Sequence, residues 1–378
     1  MSRTEFLQQF VLKVASRCDL GCDYCYVYRM ADHSFATQPR FMSAGTIERT
    51  ADRIAEHVTA HRLDRVEVAF HGGEPLLAGP DYFVAAARTI RDRLPGTRVD
   101  LLVQTHGGLL DESMLTALAD HRITVGVSLD GGPDHHDRHR RRRDGGGTHE
   151  QTARGLALLT GDRFRPIFGG LLCVIDLANN PVEVYEALVR HRPPEIDFLL
   201  PHGNWSRPPP GRSGDSAAPY GAWLCAAFDR WYDASPPETT VRLFDDVIRL
   251  CLGRSARGEQ IGLSPASFVV IDTDGALQQV DTLKSVRPGA AGTGLHVSAD
   301  SMDDVLEHPG LRARRGGVAA LCATCRECSV VRICGGGSYV HRWSSTGGFA
   351  NPSVYCPDLQ DFIGHVVRRV SNDLGPAR

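Results

Sequence analysis

Short apolar runs rich in valine, isoleucine, leucine and phenylalanine alternate with stretches of helical periodicity from residue 10 to residue 200. The runs predict strands at 10–15, 65–70, 98–104, 123–128, 167–175 and 196–200. The spacing between them predicts helices, most clearly at 43–61 and 81–93. This alternation indicates parallel strands joined by right-handed crossovers. It therefore predicts an α/β fold, a partial (β/α)6 barrel of the TIM type rather than the closed eight-stranded barrel.

Composition narrows the class of protein. The chain has 378 residues, of which 42% are hydrophobic, and no apolar span of membrane length, so we expect a large core and no membrane partner. Eleven cysteines without a secretory signal indicate a cytoplasmic protein with metal-bound thiols rather than disulfides. The net charge of −3 predicts no general attraction to nucleic acid. Lysine occurs only at positions 13 and 284, which is typical of an arginine-rich genome.

The most informative motif follows the first predicted strand. Cys18, Cys22 and Cys25 are spaced C-x3-C-x2-C, with Tyr24 before the third cysteine and Tyr26 after it. Three thiolates can hold three irons of a cubane cluster and leave the fourth iron open. An open metal position can bind a substrate-like molecule, as it does in catalytic zinc sites. Zinc ligation or simple burial of the thiols is the alternative.

This spacing, followed by an aromatic residue, resembles the radical S-adenosylmethionine (SAM) superfamily. The resemblance implies that the methionyl group of SAM chelates the open iron of a [4Fe-4S] cluster. It also implies that a 5′-deoxyadenosyl radical then takes a hydrogen atom from the substrate. The cofactor supplies this chemistry and the protein positions the reactants. We expect Tyr24, between two of the cluster ligands, to contact the cofactor.

The second predicted strand ends in a glycine motif, His71-Gly72-Gly73-Glu74-Pro75. Two glycines allow the backbone to approach a bound molecule closely. The resemblance implies that Gly72, Gly73 and Glu74 hold the methionyl amine of SAM through backbone and carboxylate acceptors. Taken alone, the glycine pair is typical of an ordinary turn.

Further cofactor contacts are predicted after the third and fourth strands. Ser128 and Asp130 are two residues apart and project the same way, and the resemblance assigns them to the ribose or the methionyl carboxylate. An aspartate that opens a turn is the alternative. Arg140 is our candidate for the SAM carboxylate, although the basic run 135–143 is typical of a solvated loop. His106 stands where relatives commonly have asparagine, so its role stays open.

A second cysteine set lies in the C-terminal third, at Cys322-x2-Cys325-x2-Cys328-x5-Cys334 and then Cys356. It resembles the SPASM extension of radical SAM peptide maturases. The resemblance assigns an auxiliary [4Fe-4S] cluster to Cys325, Cys328, Cys334 and Cys356. A structural zinc site would use the same soft ligands. We therefore expect a radical SAM barrel at 1–235 and a SPASM-like iron–sulfur extension at 236–378.

The extension departs from a full SPASM domain, which carries further cysteines for a second auxiliary cluster. The corresponding positions here are Val280 and Ser338, so we expect only one auxiliary cluster. Cys322 is left over, either as a spare thiol or as a substitute ligand. Asp281 follows Val280 directly, and sulfatase-maturating relatives carry their catalytic base at the equivalent place. We expect Asp281 to act as a base with a raised pKa in an apolar pocket, with a turn-capping aspartate as the alternative.

Substrate contacts are expected after the sixth strand. His202, Asn204 and Trp205 should face the mouth of the barrel, where they could contact the substrate. The alternative for Trp205 is that it packs its loop onto the rim.

Segments along nearly the whole chain resemble the FxsB-type branch of radical SAM/SPASM maturases, among them FVLKVASRCDLGCDYCYVY, HGGEPLLAG, VDTLKS and CRECSVVRICGGG. The resemblance implies a ribosomal precursor peptide as substrate and a three-residue cyclophane, a carbon–carbon bond between an aromatic ring and a β-carbon. It also implies an external electron donor of the flavodoxin or ferredoxin type. We find no separate leader-binding domain ahead of Phe10, so we expect the precursor to dock on the barrel, on the C-terminal region or on a separate leader-binding protein. The rival functions are oxidation of serine or cysteine to formylglycine, and a cluster- or zinc-bearing nucleic-acid-binding module.

Overall fold

The structure, a computed structural model, describes residues 6–212 and 217–374. Its strands are β1 Gln9–Ala15, β2 Arg65–Gly72, β3 Arg98–Thr105, β4 Ile123–Ser128, β5 Phe168–Val174, β6 Glu195–Leu199, β7 Thr240–Val241, β8 Phe268–Ile271, β9 Ala276–Gln278 and β10 Gly292–His296. Its α-helices are α1 Ala44–His61, α2 Pro80–Arg93, α3 Glu112–Asp120, α4 Pro133–His139, α5 His149–Leu159, α6 Pro181–Val189, α7 Pro219–Tyr232, α8 Arg242–Cys251, α9 Met302–Glu307, α10 Pro309–Arg315, α11 Ala323–Arg326, α12 Val331–Cys334 and α13 Cys356–Leu374.

The chain divides into two compact units. They are Met1–Leu129 with Pro133–Leu171 and Ala266–Arg312, and Asp130–Gly132 with Leu172–Pro265 and Ala313–Arg378. These units do not coincide with the predicted domains 1–235 and 236–378. Because β8 pairs with β1, the segment 266–312 belongs to the unit that contains the N-terminal strands.

The sheet of the first unit has the strand order β10-β9-β8-β1-β2-β3-β4. Neighbouring strands from β8 to β4 run parallel, and β9 and β10 add an antiparallel edge. All six strands predicted between residues 10 and 200 are present as β1 to β6, with ends shifted by at most two residues. The predicted α/β fold with a parallel sheet is confirmed.

Helix α1 shows how the sequence sets these elements. Ser43 caps it by accepting a hydrogen bond from the backbone N–H of Thr46 at 3.1 Å. The apolar residues recur three or four apart and are buried, which gives the helix one apolar face: Ile47, Ala51, Ile54 and Val58. Each large side chain on this face contributes about 1.5–3 kcal/mol by burial. The helix ends at Arg62 in the left-handed conformation.

The second unit has its own aromatic core. The ring centroid of Phe244 lies 5.4–5.8 Å from those of Phe198, Phe228 and Phe362, and the ring of Trp223 lies 5.1 Å from that of Phe198. Such edge-to-face and tilted contacts add to the energy of burial. Strands β6 and β7 pair in parallel beside this core. None of the described helices in either unit is both long enough and apolar enough to cross a membrane.

A buried carboxylate joins helices α13 and α7 in the second unit. Asp358, which is 0% exposed, accepts hydrogen bonds through Oδ1 from the backbone N–H groups of Tyr220 and Gly221, at 2.8 and 3.0 Å. Its Oδ2 accepts from Arg212 Nη1 at 2.8 Å. These N–H groups belong to the first turn of α7, and the N–H groups of a first turn have no acceptor within their own helix. Asp358, in the first turn of α13, therefore supplies the hydrogen-bond acceptor that the first turn of α7 needs.

Replacing Asp358 with alanine should lower the free energy of unfolding by about 3–5 kcal/mol, because a buried guanidinium loses its counter-charge. The measurement is urea denaturation followed by circular dichroism. Asp358→Asn is the matched control, since it keeps an oxygen acceptor and loses only the charge. A loss below about 1 kcal/mol in Asp358→Ala would contradict this account.

Candidate active site

The cysteine loop, residues 18–25, leaves the carboxyl end of β1. Cys18, Cys22 and Cys25 are all partly exposed on it. The sulfur of Cys18 accepts a hydrogen bond from the backbone N–H of Leu20 at 3.4 Å, which helps to fold the loop. Three soft sulfur donors on one accessible loop are the ligand set that a cubane cluster with an open iron requires. The residues present therefore fit the cluster.

The glycine motif packs against the same carboxyl end of β1. Gly72 lies opposite Ala15 in the β1–β2 ladder, and the N–H of Gly73 donates to the Ala15 carbonyl at 2.8 Å. A Cβ on Gly73 would overlap the carbonyl of Arg17 and the hydroxyl of Tyr28. Only glycine permits this approach of one chain segment to another. The motif and the cysteine loop thus share one edge of the sheet.

Glu74 is buried and its carboxylate is occupied by neighbouring donors. Oε1 accepts from the Leu76 N–H at 3.0 Å and from Thr105 Oγ1 at 2.7 Å. Oε2 accepts from the His106 N–H at 2.9 Å. These contacts fix the carboxyl edge of β3 to the glycine motif. The predicted contact of Glu74 with SAM stays a prediction beside this anchoring role.

His106, whose role the sequence left open, connects this anchor to the cysteine loop. Its Nδ1 accepts from the Gly108 N–H at 3.0 Å, so the proton lies on Nε2. Nε2 then donates to Asp19 Oδ1 at 3.0 Å, and Asp19 directly follows Cys18. Burial alone would raise the pKa of Asp19, but the hydrogen bond from His106 holds it below its usual range. Nothing in the sequence pattern pointed to this link.

Two predicted cofactor residues lie in contact. Arg140 is buried, and its Nη1 donates to the hydroxyl of Tyr24 at 2.7 Å. Nearby, Arg143 Nη2 donates to the Cys18 carbonyl at 2.6 Å. The basic run is therefore not simply a solvated loop, because at least these two arginines pack against the cysteine loop.

A buried histidine supports Arg140 from behind. His136 Nε2 donates to Thr148 Oγ1 at 3.1 Å, and the same hydroxyl donates to the Arg140 carbonyl at 2.6 Å. Burial, with a smaller contribution from Arg140, lowers the pKa of His136 to about 2. His136 is therefore neutral in the folded protein at every ordinary pH.

Ser128 and Asp130 each have a structural partner. In the first unit, Ser128 Oγ accepts from Gln104 Nε2 at 3.1 Å. Asp130 belongs to the second unit, where its buried carboxylate accepts from the Val174 N–H at 3.0 Å. Their predicted contacts with SAM stay a prediction.

The environment of Asp281 differs from the apolar pocket that the sequence predicted. Oδ2 of this buried side chain accepts from Lys13 Nζ at 3.0 Å and from the Tyr26 hydroxyl at 2.7 Å. Burial alone would raise the pKa of Asp281, but Lys13, His71 and Tyr26 together hold it well below its usual range. The predicted raised pKa is wrong. Asp281 is an ionised carboxylate at neutral pH.

The C-terminal cysteines converge within the second unit. Cys325, Cys328, Cys334 and Cys356 line one cavity. Burial raises the pKa of the Cys334 thiol to about 11, so a bound metal must displace its proton. Four sulfur donors around one space fit an iron–sulfur cluster. They would also fit zinc.

Cys322 is not among the residues that line the cavity, but it lies next to it. It occupies the N-cap position of helix α11 without a side-chain cap hydrogen bond. Its side chain hydrogen-bonds that of Cys325, whose pKa burial raises to about 12. The four predicted ligands therefore form the cavity without the fifth cysteine.

The predicted substrate residues have structural contacts in the second unit. Asn204 is buried and its Oδ1 accepts from the backbone of Ser206 and Arg207, both at 3.0 Å. Trp205 Nε1 donates to the Pro352 carbonyl at 2.7 Å, so this ring ties its loop to the following segment. The His202 ring lies 5.9 Å from that of His341. Substrate contact by His202, Asn204 and Trp205 stays a prediction.

Comparison with known proteins agrees with this geometry. Residues 12–186, which include the first three cysteines and Glu74, match the radical SAM superfamily. A cysteine-type anaerobic sulfatase-maturating enzyme of Clostridium perfringens is 25% identical, over 97% of this chain and 98% of the relative. A serine-type anaerobic sulfatase-maturating enzyme of Bacteroides thetaiotaomicron is 22% identical, over 95% and 89%.

Solved structures show the same fold. The structure of anSMEcpe with bound AdoMet and Cp18Cys peptide superposes with a TM-score of 0.81 at 20% identity, covering 97% of this chain and 99% of that one. Streptococcus suis SuiB bound to S-adenosylmethionine gives a TM-score of 0.60 at 15% identity, covering 89% and 73%.

The match over residues 12–186, the cysteine loop and the parallel sheet all agree with the class of radical SAM enzymes. Enzymes of this class hold a [4Fe-4S] cluster that binds SAM, and Cys18, Cys22 and Cys25 are the residues that would hold it here. Over nearly its whole length the chain is similar to anaerobic sulfatase-maturating enzymes.

Cysteine substitutions should separate the two cluster sites. Cys22→Ala should abolish formation of 5′-deoxyadenosine from SAM, because the SAM-binding cluster loses a ligand. Cys356→Ala should lose iron from the auxiliary site only. Cys322→Ala is the matched control and should keep the iron of both sites. The measurements are iron and sulfide content after anaerobic reconstitution. Equal iron loss in Cys322→Ala and Cys356→Ala would contradict the assignment.

His136 should make the protein sensitive to acid. Unfolded His136 takes up a proton below a pH of about 6.5, whereas the folded residue does so only near 2. The free energy of unfolding should therefore fall as the pH falls below about 6.5, by up to about 1.4 kcal/mol per pH unit from this group. In His136→Gln this part of the slope should disappear. The measurement is urea denaturation of both proteins at several pH values, and parallel slopes would refute the prediction.

Proposed function

We propose that this enzyme modifies a ribosomally synthesised precursor peptide by removing a β-hydrogen and joining that carbon to an aromatic ring, giving a three-residue cyclophane. The observation that carries the proposal is the hydrogen bond from Tyr26, the residue after Cys25, to the ionised Asp281. It sets a proton-accepting carboxylate beside the loop that carries the SAM-binding cluster. A peptide is the expected substrate because the chain is similar to sulfatase-maturating enzymes and to a solved structure with a bound peptide.

The cofactors and the side chains have separate roles in the proposed reaction. When bound, the cofactors supply a radical that removes one hydrogen atom, and the auxiliary cluster is a sink for one electron. Asp281 takes the remaining proton at its carboxylate. The crosslinking reaction therefore balances. The C–H bond at the β-carbon loses a hydrogen atom, the C–H bond of the ring loses a proton and one electron, and one C–C bond forms. Glu74 and His106 hold the edges of the site in place.

The low pKa of Asp281 supports ring coupling. After the carbon radical adds to the ring and one electron leaves, the ring carbon carries a strongly acidic proton. A carboxylate with a low pKa is a sufficient base for such an acid, whereas it is a weak base toward an alcohol or a thiol. Lys13, which lowers the pKa of Asp281, therefore suits rearomatisation.

The second candidate function is oxidation of a serine or cysteine to formylglycine. The named activities of the relatives in Clostridium perfringens and Bacteroides thetaiotaomicron favour it. Against it, two positions that carry cluster cysteines in a full SPASM domain are Val280 and Ser338 here. We propose one auxiliary cluster for this reason, and assignment to the FxsB-type branch belongs to the same proposal.

We also propose the partners that this chemistry needs. A flavodoxin or ferredoxin would reduce the SAM-binding cluster, and a separate leader-binding protein would deliver the precursor. Reduced low-potential clusters are compatible with the cytoplasm, which is the compartment we expect.

Co-expression with a short open reading frame from the neighbouring genes should yield a peptide lighter by two hydrogens. Tandem mass spectra should show no cleavage between the two linked residues, and a β-deuterated residue should lose one deuterium. A hydrazide probe distinguishes the rival function, because formylglycine is an aldehyde and a cyclophane is not. Hydrazide labelling without a crosslink would replace the main proposal by the second candidate. Cys22→Ala is the inactive control.

A further inference from the structure

Lysine is confined to one buried place in this protein. Only two of its 42 lysine and arginine residues are lysines. Lys13 Nζ lies 3.0 Å from Asp281 Oδ2, and Lys284 Nζ lies 2.9 Å from Asp272 Oδ2. Both lysines are at most 3% exposed. An arginine-rich genome explains arginine elsewhere, but it does not explain why both ammonium groups lie in ion pairs of one unit.

The strand register brings these charges together. Lys13 lies opposite His71 in the β1–β2 ladder. On the other side of β1, Leu12 lies opposite Ile271 in the parallel β1–β8 ladder. The next residues of the two chain segments, Lys13 and Asp272, are therefore neighbours at this end of the ladder.

The contacts at Asp281 distinguish its two oxygens. Lys13 and Tyr26 both donate to Oδ2, from β1 and from the cysteine loop. Two donors on one oxygen fix the rotation of the carboxyl group. Oδ1 receives no hydrogen bond from the described residues that surround it, and it is the oxygen left to face an incoming group.

We propose that Lys13 and Tyr26 are positioning residues that hold Asp281 by Oδ2, so that Oδ1 takes the substrate proton. This inference rests on the proposed function, in which Asp281 is the base. The C–H bond of the ring carbon breaks and an O–H bond forms at Oδ1 of Asp281. The auxiliary cluster, which the four C-terminal cysteines would hold, would supply the acceptor for the remaining electron. Lys13 stays charged and keeps Asp272 as a counter-charge.

Charged and titratable groups reach Asp281 from each neighbouring element. They are Lys13 on β1, Tyr26 on the cysteine loop, His71 on β2 and Lys284, which shares with Asp281 the 3-10 helix Asp281–Ser285. Lys13 contributes most among those that lower the pKa of Asp281, and Lys284 contributes least of these four. Removing Lys13 should therefore let burial raise this pKa, while removing Lys284 should leave it low.

The experiment compares Lys13→Met, Lys13→Arg, Tyr26→Phe and the matched control Lys284→Met. For each variant, the amount of crosslinked peptide per 5′-deoxyadenosine is measured from about pH 6 to about pH 8. Wild type should give a flat profile. In Lys13→Met the ratio should fall by about tenfold or more toward the acid end, because a protonated Asp281 cannot accept a proton. Lys13→Arg keeps the charge and should restore the flat profile, and Tyr26→Phe should lower the ratio with little pH dependence.

A structural role for the ion pair would give a different result. If Lys13→Met matched wild type, or if Lys13→Met and Lys284→Met changed together with flat profiles, the positioning role would be overturned.

A second readout does not depend on peptide modification. The infrared band of the protonated Asp281 carboxyl, identified by its loss in Asp281→Asn, should appear on mild acidification in Lys13→Met and not in wild type. Should wild type modify no peptide, the proposed function fails while the infrared result still decides how Lys13 holds Asp281. If the carboxyl band of Asp281 appeared at the same pH in wild type and in Lys13→Met, that result alone would refute the inference.

Discussion

The parallel pairing of β1 on both of its edges is the constraint on which the site depends. With β2 on one side and β8 on the other, the carboxyl ends of three strands meet at one edge of the sheet. The cysteine loop, the glycine motif and Asp272 follow those three ends directly. A slip of one residue in either ladder would turn Lys13 away from Asp281, since side chains alternate between the two faces of a strand.

Burial of charge is the second organising feature. In the first unit, two lysines and two aspartates form a balanced group, and in the second unit Arg212 balances Asp358. Isolated charges in such places would cost several kcal/mol each, so each pair is stable only as a whole. The consequence for chemistry is that Asp281 is ready to accept a proton without first losing one.

Local sequence signals predicted much of this structure. The six strands follow from apolar runs, which are short-range patterns, whereas the set of four C-terminal cysteines came from the resemblance to the SPASM extension. The Lys13–Asp281 pair joins residues 268 positions apart, and no local pattern announces it. The pKa of Asp281 was predicted with the wrong sign for this reason. The packing role of Glu74 also comes from a neighbour brought in by the fold, Thr105.

The central claim is that the first cysteine group leaves an iron open to SAM. Electron paramagnetic resonance of the reduced Cys334→Ala/Cys356→Ala variant tests it most directly, because only the SAM-binding cluster should then remain. Addition of SAM should change the cluster signal, and addition of methionine methyl ester should not. A signal unchanged by excess SAM would contradict the account.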